Sequence, residues 1–440
     1  MFGKKMCREF SNRSLNLRPR LTNNFNALTR WSFRRCLECG YVAVMLLSTV
    51  PSKAGWTVLA SSSDFNSKAA FERQYTYNYP GGRAIHNGSA IMSPANLSIP
   101  TAGTIRLTCK KFAGKWFDGK LYNYRSETFT WKNRVIIDAN HPVWDLSIDA
   151  QLPYVAGTWP AFWMTPTNVW NCESDIMENW GTNGIRQNTY QSDADPQWAS
   201  VTTPLTGPAH MNWHTYRVVA LKIDASNVEF HYYIDGVQTS TQTKNNFINN
   251  PLYVMFDYQT FFPGQSVNGG NPTFKGPLLV NLKNLTISDL DLTGVAAGPI
   301  TNGSYRLLSS NSGNVVDVPA ALTTNGSKCI QYHKNGGTNQ YWLMSHIGNH
   351  QYVVLSRQSA RAIEDPVCST VDGTQMDIGD FKGSPNQLWT INATSRGFYN
   401  LANVSSGKTL DVTGGSAADG AAVDQWTWVG ANQEQWLFQP

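Results

Sequence analysis

Between residues 170 and 181 the chain reads WNCESDIMENWG, which places Glu173, Asp175 and Glu178 within six positions. Acids are scarce elsewhere: the whole 440-residue chain holds 30 Asp and Glu. Side chains on a strand alternate between faces, so Glu173 and Asp175 share a face while Glu178, five positions from Glu173, should point to the other. One extra residue, a β-bulge absorbed at Ile176 and Met177, would return Glu178 to the side of the other two. Like charges on one strand face repel, so the odd spacing makes sense only if all three acids must look into one cleft. Two carboxylates of unequal protonation suit hydrolysis of a glycosidic bond. One attacks the anomeric carbon and the other protonates the leaving oxygen, at ~5–5.5 Å separation in the retaining case. Crowding raises at least one pKa, and Asp175 stands where it can tune both partners. A solvated acidic edge fits poorly beside Trp159, Trp163, Trp170 and Trp180, an aromatic density suited to stacking on sugars. A calcium site would want more Asp or Asn oxygens close by. No Cys-x-x-Cys spacing follows the first 54 residues, and no metal or other cofactor is expected.

The elements that must position these acids read as short strands. Only 15% of residues are charged, with 35 Gly and 16 Trp, a profile of β-rich chains. NVEFHYYIDGVQTST (227–241) is a hairpin turning at Asp235-Gly236, and LLVNLKNLTISDLDL (278–292) alternates in the same way. No long segment has helical periodicity, so an antiparallel sandwich is expected over 55–293. TGVAAGPITNG (293–303) is small and flexible in character and marks a boundary. Beyond it the chain repeats. Trp342, Trp389 and Trp436 are spaced by 47 residues, and Tyr305, Tyr352 and Tyr399 keep the same offset, as do Gly326, Gly373 and Gly420. One such unit cannot bury its own apolar face, so three must share a core. A closed barrel with pseudo-three-fold symmetry is expected over 303–440.

The tail resembles the ricin-type β-trefoil lectins, also classed as carbohydrate-binding module family 13. Their Gln-x-Trp signature stands at Gln340–Trp342 and Gln387–Trp389, while the third copy has Glu434 in place of Gln. The resemblance implies a sugar pocket per lobe, built from an Asp, an aromatic ring and an Asn. In the first lobe these are Asp317, Tyr332 and Asn335. The third lobe keeps Asp411 and Trp426 but has Val429 for the Asn. The middle lobe has Glu364, Gly379 and Lys382 and no ring. One good pocket, one weaker and one lost are expected, with the Gln-x-Trp tryptophans in the core. The motif E-x-D-x-x-E after GTWPAFWM (157–164) resembles glycoside hydrolase family 16, in its bulged branch of laminarinases, agarases, carrageenases and endo-galactanases. That resemblance implies an all-β fold, a β-jelly-roll (concanavalin A-like) sandwich, followed here by the trefoil. It implies Glu173 as nucleophile, Asp175 as assisting acid and Glu178 as acid/base, with Trp163 and Trp180 stacking on sugar.

Residues 1–54 hold ten Lys and Arg against two acids, and end in the apolar run GYVAVMLLSTVPSKAG. This reads as a signal peptide cleaved near Ala54, although the Arg-rich start also suits a mitochondrial transit peptide. The remainder has 25 basic and 28 acidic residues, so the charge gives no support to a nucleic-acid partner. The apolar run is too short to span a bilayer, and no membrane association is expected. Cys109, Cys172, Cys329 and Cys368 permit disulfides within each half of a secreted chain. The expectation is a secreted, monomeric, retaining endo-β-glycanase on a β-galactan or β-1,3-glucan, anchored by a lectin module. A non-catalytic lectin on an enzyme scaffold and a transglycosylase are the alternatives.

Overall fold

The computed structural model describes residues 55–168, 170–190, 199–205, 211–264 and 272–440. The expected signal peptide at 1–54 lies outside the described residues. Among the described residues no helix is long and apolar enough to cross a membrane.

Alternating apolar residues build two sheets that face each other across one core. A seven-stranded sheet runs in the order Ala199–Pro204, Gly184–Tyr190, Glu173–Asn179, Thr158–Pro166, Leu252–Thr260, Thr128–Trp131 and Tyr75–Tyr77. The opposing sheet is centred on Val143–Gln151, with Trp213–Lys222 on one side and Leu278–Asp291 on the other. Phe162, Met164 and Phe256 from the first sheet meet Leu146, Ile148 and Val218 from the second. The hairpin turn has Asp235 at φ 52° and Gly236 at φ 76°, the left-handed pair that matches the twist of adjoining strands. This half is a β-jelly-roll sandwich.

The second half is a β-trefoil. Trp342, Trp389 and Trp436 are fully buried in its core, with their indole N–H groups donating to the carbonyls of Val316, Ile363 and Leu410 at 3.1, 3.1 and 2.9 Å. The repeat in sequence is thus a repeat in hydrogen bonding. The connecting segment is not loose, contrary to its composition. Ile300 N–H donates to the Tyr352 hydroxyl, which donates to the Ile300 carbonyl, both at 2.8 Å. A Cβ on Gly298 would lie 2.2 Å from that hydroxyl, so only glycine fits under it.

The two halves share a third apolar core. Val143, Val219, Leu221 and Leu290 of the sandwich pack with Leu343, Val353, Leu355 and Phe381 of the trefoil. Beside it Arg217 holds Asp145 of its own half at 2.7 Å and Asp380 of the other at 2.6 Å, and Arg361 reaches Asp380 at 3.1 Å. Burial pushes the Asp380 carboxyl up, but Arg217, Asn325 and Arg361 together hold it down at about 2. Arg357 pairs with Glu229, and the Tyr233 hydroxyl donates to the Ser359 carbonyl.

The expected disulfides do not form; all four cysteines are free. Cys109 lies on Thr104–Phe117 and Cys172 directly precedes Glu173–Asn179, elements of opposite sheets. Each thiol has its own surroundings: Cys109 lies beside Ser126, whereas Asn250 donates to the Cys172 sulfur at 3.5 Å. Cys329 packs into the trefoil core while Cys368 is exposed.

Candidate active site

The bulge is present at the expected residues. Against Thr158–Pro166 the pairing steps from Asp175↔Trp163 to Met177↔Phe162, skipping Ile176. Against Gly184–Tyr190 it steps from Asp175↔Asn188 to Glu178↔Arg186. Ile176 and Met177 are both fully buried, and the Gln187 amide donates to the Ile176 carbonyl at 3.0 Å, satisfying backbone that the ladder leaves unpaired. Glu173, Asp175 and Glu178 consequently line one pocket together with Trp159, Trp163, His86 and Asp257.

Each carboxylate has its own partners. The Trp170 indole donates to Glu173 Oε2 at 2.8 Å, and the Trp159 indole to Glu178 Oε1 at 2.6 Å. Asn188 Nδ2 bridges Asp175 Oδ2 at 2.9 Å and Glu178 Oε2 at 3.1 Å, which shows that these two side chains share a face. The Ser200 hydroxyl donates to Asn188 Oδ1 and so fixes the amide with its N–H groups toward the acids.

Burial is the largest influence on all three acids. It raises Glu173 to about 7, with Glu178 and Asp257 adding to the rise and Trp170 opposing it. Asp175 is raised well above the ordinary carboxylate range, by burial and then by the two glutamates. Glu178 is raised by burial but opposed by the indoles of Trp180 and Trp159, by Arg186 and by Asn188. The site can therefore hold a proton on Asp175 while the flanking glutamates differ in their hydrogen-bond donors. Cys172 beside Glu173 is buried and neutral: burial and the Glu173 charge push its thiol up to about 12, and Asn250 donates to its sulfur at 3.5 Å.

The two tryptophans expected to stack on sugar are engaged by protein. Trp163 lines the pocket, but His86 stacks against its ring at 5.7 Å and its N–H donates to Asp257 Oδ1 at 3.1 Å. Trp180 carries the Arg186 guanidinium 3.7 Å from its ring centroid, and the edge of Phe261 meets it at 5.6 Å. Sequence reasoning passed over Asp257, a fourth buried carboxylate that accepts from the Tyr79 hydroxyl at 2.6 Å; burial raises it to about 7. Its signal was an acid inside the apolar strand LYVMFDYQT. Trp159 and Trp170 were noticed only for their density, yet they are the donors to the two glutamates.

In the trefoil, the lobes diverge at the residues expected to bind sugar. In the first, Gln340 and Asn339 both donate to Asp317 Oδ2, at 2.9 and 3.0 Å, and Gln340 Oε1 accepts the Asn335 N–H at 3.0 Å. Tyr332 is half-buried, and Asn335 is exposed. In the second, Gln387 holds Glu364 at 2.7 Å, and a Cβ on Gly379 would lie 2.2 Å from the Glu364 carboxylate. The longer acid fills the place of the missing ring. This lobe also supplies Asp380 and Phe381 to the sandwich, with Phe381 5.0 Å from Trp56. In the third, Trp426 is exposed, but Glu434 cannot donate; its oxygens accept from Val429 and Ala431 N–H instead. Asp411 is left without that donor, and burial together with Asp424 raises it to about 7.

A family model described as ricin-type beta-trefoil lectin domain-like matches residues 294–379 and 385–440. A galactan endo-beta-1,3-galactanase of Flammulina velutipes is 25% identical over 230 residues, covering 51% of this chain and 88% of that protein. Among solved structures, the endo-1,3-beta-glucanase of Streptomyces sioyaensis is 19% identical at a TM-score of 0.45, spanning 54% of this chain and 97% of that one. The designed three-fold symmetric protein ThreeFoil is 35% identical at a TM-score of 0.31, spanning 31% of this chain and 98% of its own. The jelly-roll half thus carries the bulged acidic strand, and the matched family model identifies residues 294–379 and 385–440 as ricin-type beta-trefoil lectin domain-like.

Proposed function

We propose that the chain is a secreted, retaining endo-β-glycanase that cuts β-1,3-galactan, or failing that another β-galactan or a β-1,3-glucan, while its trefoil holds the polymer. The observation that carries this reading is the bulge at Ile176–Met177, which gathers three acids into one cleft with different donors on the two glutamates. Ionised Glu173 attacks the anomeric carbon as Glu178 gives its proton to the departing glycosidic oxygen. Glu178, now ionised, then takes a proton from water, whose oxygen displaces Glu173 and restores it. Asp175, kept protonated by burial and by its neighbours, can offer its O–H to the Glu173 carboxylate and favour the ionised nucleophile. The galactanase relative supports galactan over glucan. Tyr332 with Asp317 and Asn335 supplies the better sugar pocket and Trp426 with Asp411 the weaker. Tethering of this kind raises local concentration most on insoluble polymer.

The test is release of new reducing ends from β-1,3-galactan, β-1,3-glucan and agar, with the anomer of the first product read by NMR. Retention of configuration is expected. Glu173→Gln should abolish cleavage and Glu178→Gln should cost about 10²–10⁴-fold, both with polymer binding intact. Wild-type protein that binds these polymers and cleaves none would end the proposal.

A further inference from the structure

A hairpin beside the cleft carries a cluster of charge and exposed rings that cleavage of a neutral glycan does not use. The strands Thr104–Phe117 and Lys120–Ser126 join at Asp118-Gly119, and residues 109–126 contain five Lys or Arg against one acid. Lys111 pairs opposite Tyr124, Lys115 opposite Tyr122 and Phe117 opposite Lys120, so three ammonium groups share the face of the two tyrosines. None of the three forms an ion pair with a described residue, and all three are exposed. Edge-protecting lysines would account for the charge. They do not account for Phe117 at 47% exposure on the same face, since a ring on an edge invites the association that lysines prevent.

This face continues into the cleft. Lys120 Nζ lies 5.2 Å from the Phe262 ring centroid, and Tyr122 meets the same ring edge-on at 5.1 Å. The preceding residue, Phe261, stacks on Trp159 at 4.5 Å and 9°, and Trp159 donates to Glu178. A polymer leaving the cleft past Glu178 therefore meets aromatic faces for its CH surfaces and uncompensated ammonium groups for anything negative attached to it. We propose that this hairpin is a subsite for the anionic substituents, uronate carboxylates or sulfate esters, of a decorated β-glycan. The proposal rests on the glycanase reading for its backbone polymer, but its charge preference is measurable as binding without any cleavage.

Affinity of full-length Glu173→Gln protein is compared on three forms of one β-galactan: uronate-bearing, carboxyl-reduced and sulfated. At low salt the protein should bind a charged form roughly tenfold more tightly than the reduced one, and 0.5 M NaCl should erase the difference. The double variant K115Q/K120Q should bring the affinities together with Tm unchanged, and F117A should weaken binding to all three. Preference for the uronate or for the sulfated form identifies the source of the charge. Equal affinity for all three forms, a preference that K115Q/K120Q leaves intact, or tighter binding to vesicles of anionic phospholipid than to any polymer overturns the proposal. Cleavage measured in parallel with wild-type protein separates the outcomes: no cleavage with a retained charge preference sinks the glycanase reading alone.

Discussion

Glu173 is under two opposed demands. A nucleophile must be ionised, yet burial and two neighbouring acids hold this carboxyl at about 7. Unfolded, Glu173 and Asp257 would titrate near ~4; folded, both titrate at about 7. Because the folded value is the higher, the stability linked to these groups is complete below the unfolded value and is lost as pH rises through 7. The melting temperature should therefore fall between pH 4 and pH 8, and Asp257→Asn should flatten that fall. The same substitution removes a charge that raises Glu173, so the acid limb of kcat/KM should move to lower pH. The limb reports the cluster as a unit, not one residue. A melting temperature that climbs steadily to pH 8, or a limb that stays put in the variant, would contradict this account.

The strand Glu173–Asn179 does its work through one inserted residue. Removing Ile176 would shorten the spacing of Glu173 and Glu178 from five to four, an even number that an unbulged strand keeps on one face, so Glu178 should stay in the cleft. Glycan cleavage by this deletion variant should therefore stay well above that of Glu178→Gln, while the trefoil still binds polymer; cleavage no better than that of Glu178→Gln would contradict this account. This much was legible in the chain, because a five-residue gap conflicts with a two-residue period and the conflict has one cheap solution. The trefoil was legible for a related reason: a 47-residue period repeats every packing position, down to the bonds of Trp342, Trp389 and Trp436. Asp257 was not, because it enters the cleft from a strand paired through Ala161, some hundred residues away in sequence, and local pattern says nothing of that register. Nor were the covered faces of Trp163 and Trp180, which depend on His86 and Arg186 arriving from other segments. The disulfides were misjudged for want of the same knowledge, namely what each cysteine packs against.

At the scale of the molecule, the middle lobe of the trefoil stands apart. Its ring is gone, Glu364 fills the gap, and its Asp380 and Phe381 face the sandwich; a Cβ on Gly383 would lie 2.7 Å from Trp56. Arg217 is the hub, and truncating it leaves the half-buried Asp145 without its cation. Arg217→Ala should cost about 3 kcal/mol, the lower end of what breaking a buried pair costs, since Asp380 keeps Arg361. By calorimetry the wild type should melt in one transition, and the variant should melt lower and in two; an unaltered single transition would deny Arg217 this role. Joined through a packed core and a pinned connector, the two halves behave as a gauge and not as a hook on a string. A polysaccharide strand gripped by an outer lobe would reach the cleft at one set stride, so fragments shorter than that stride would gain nothing from the grip.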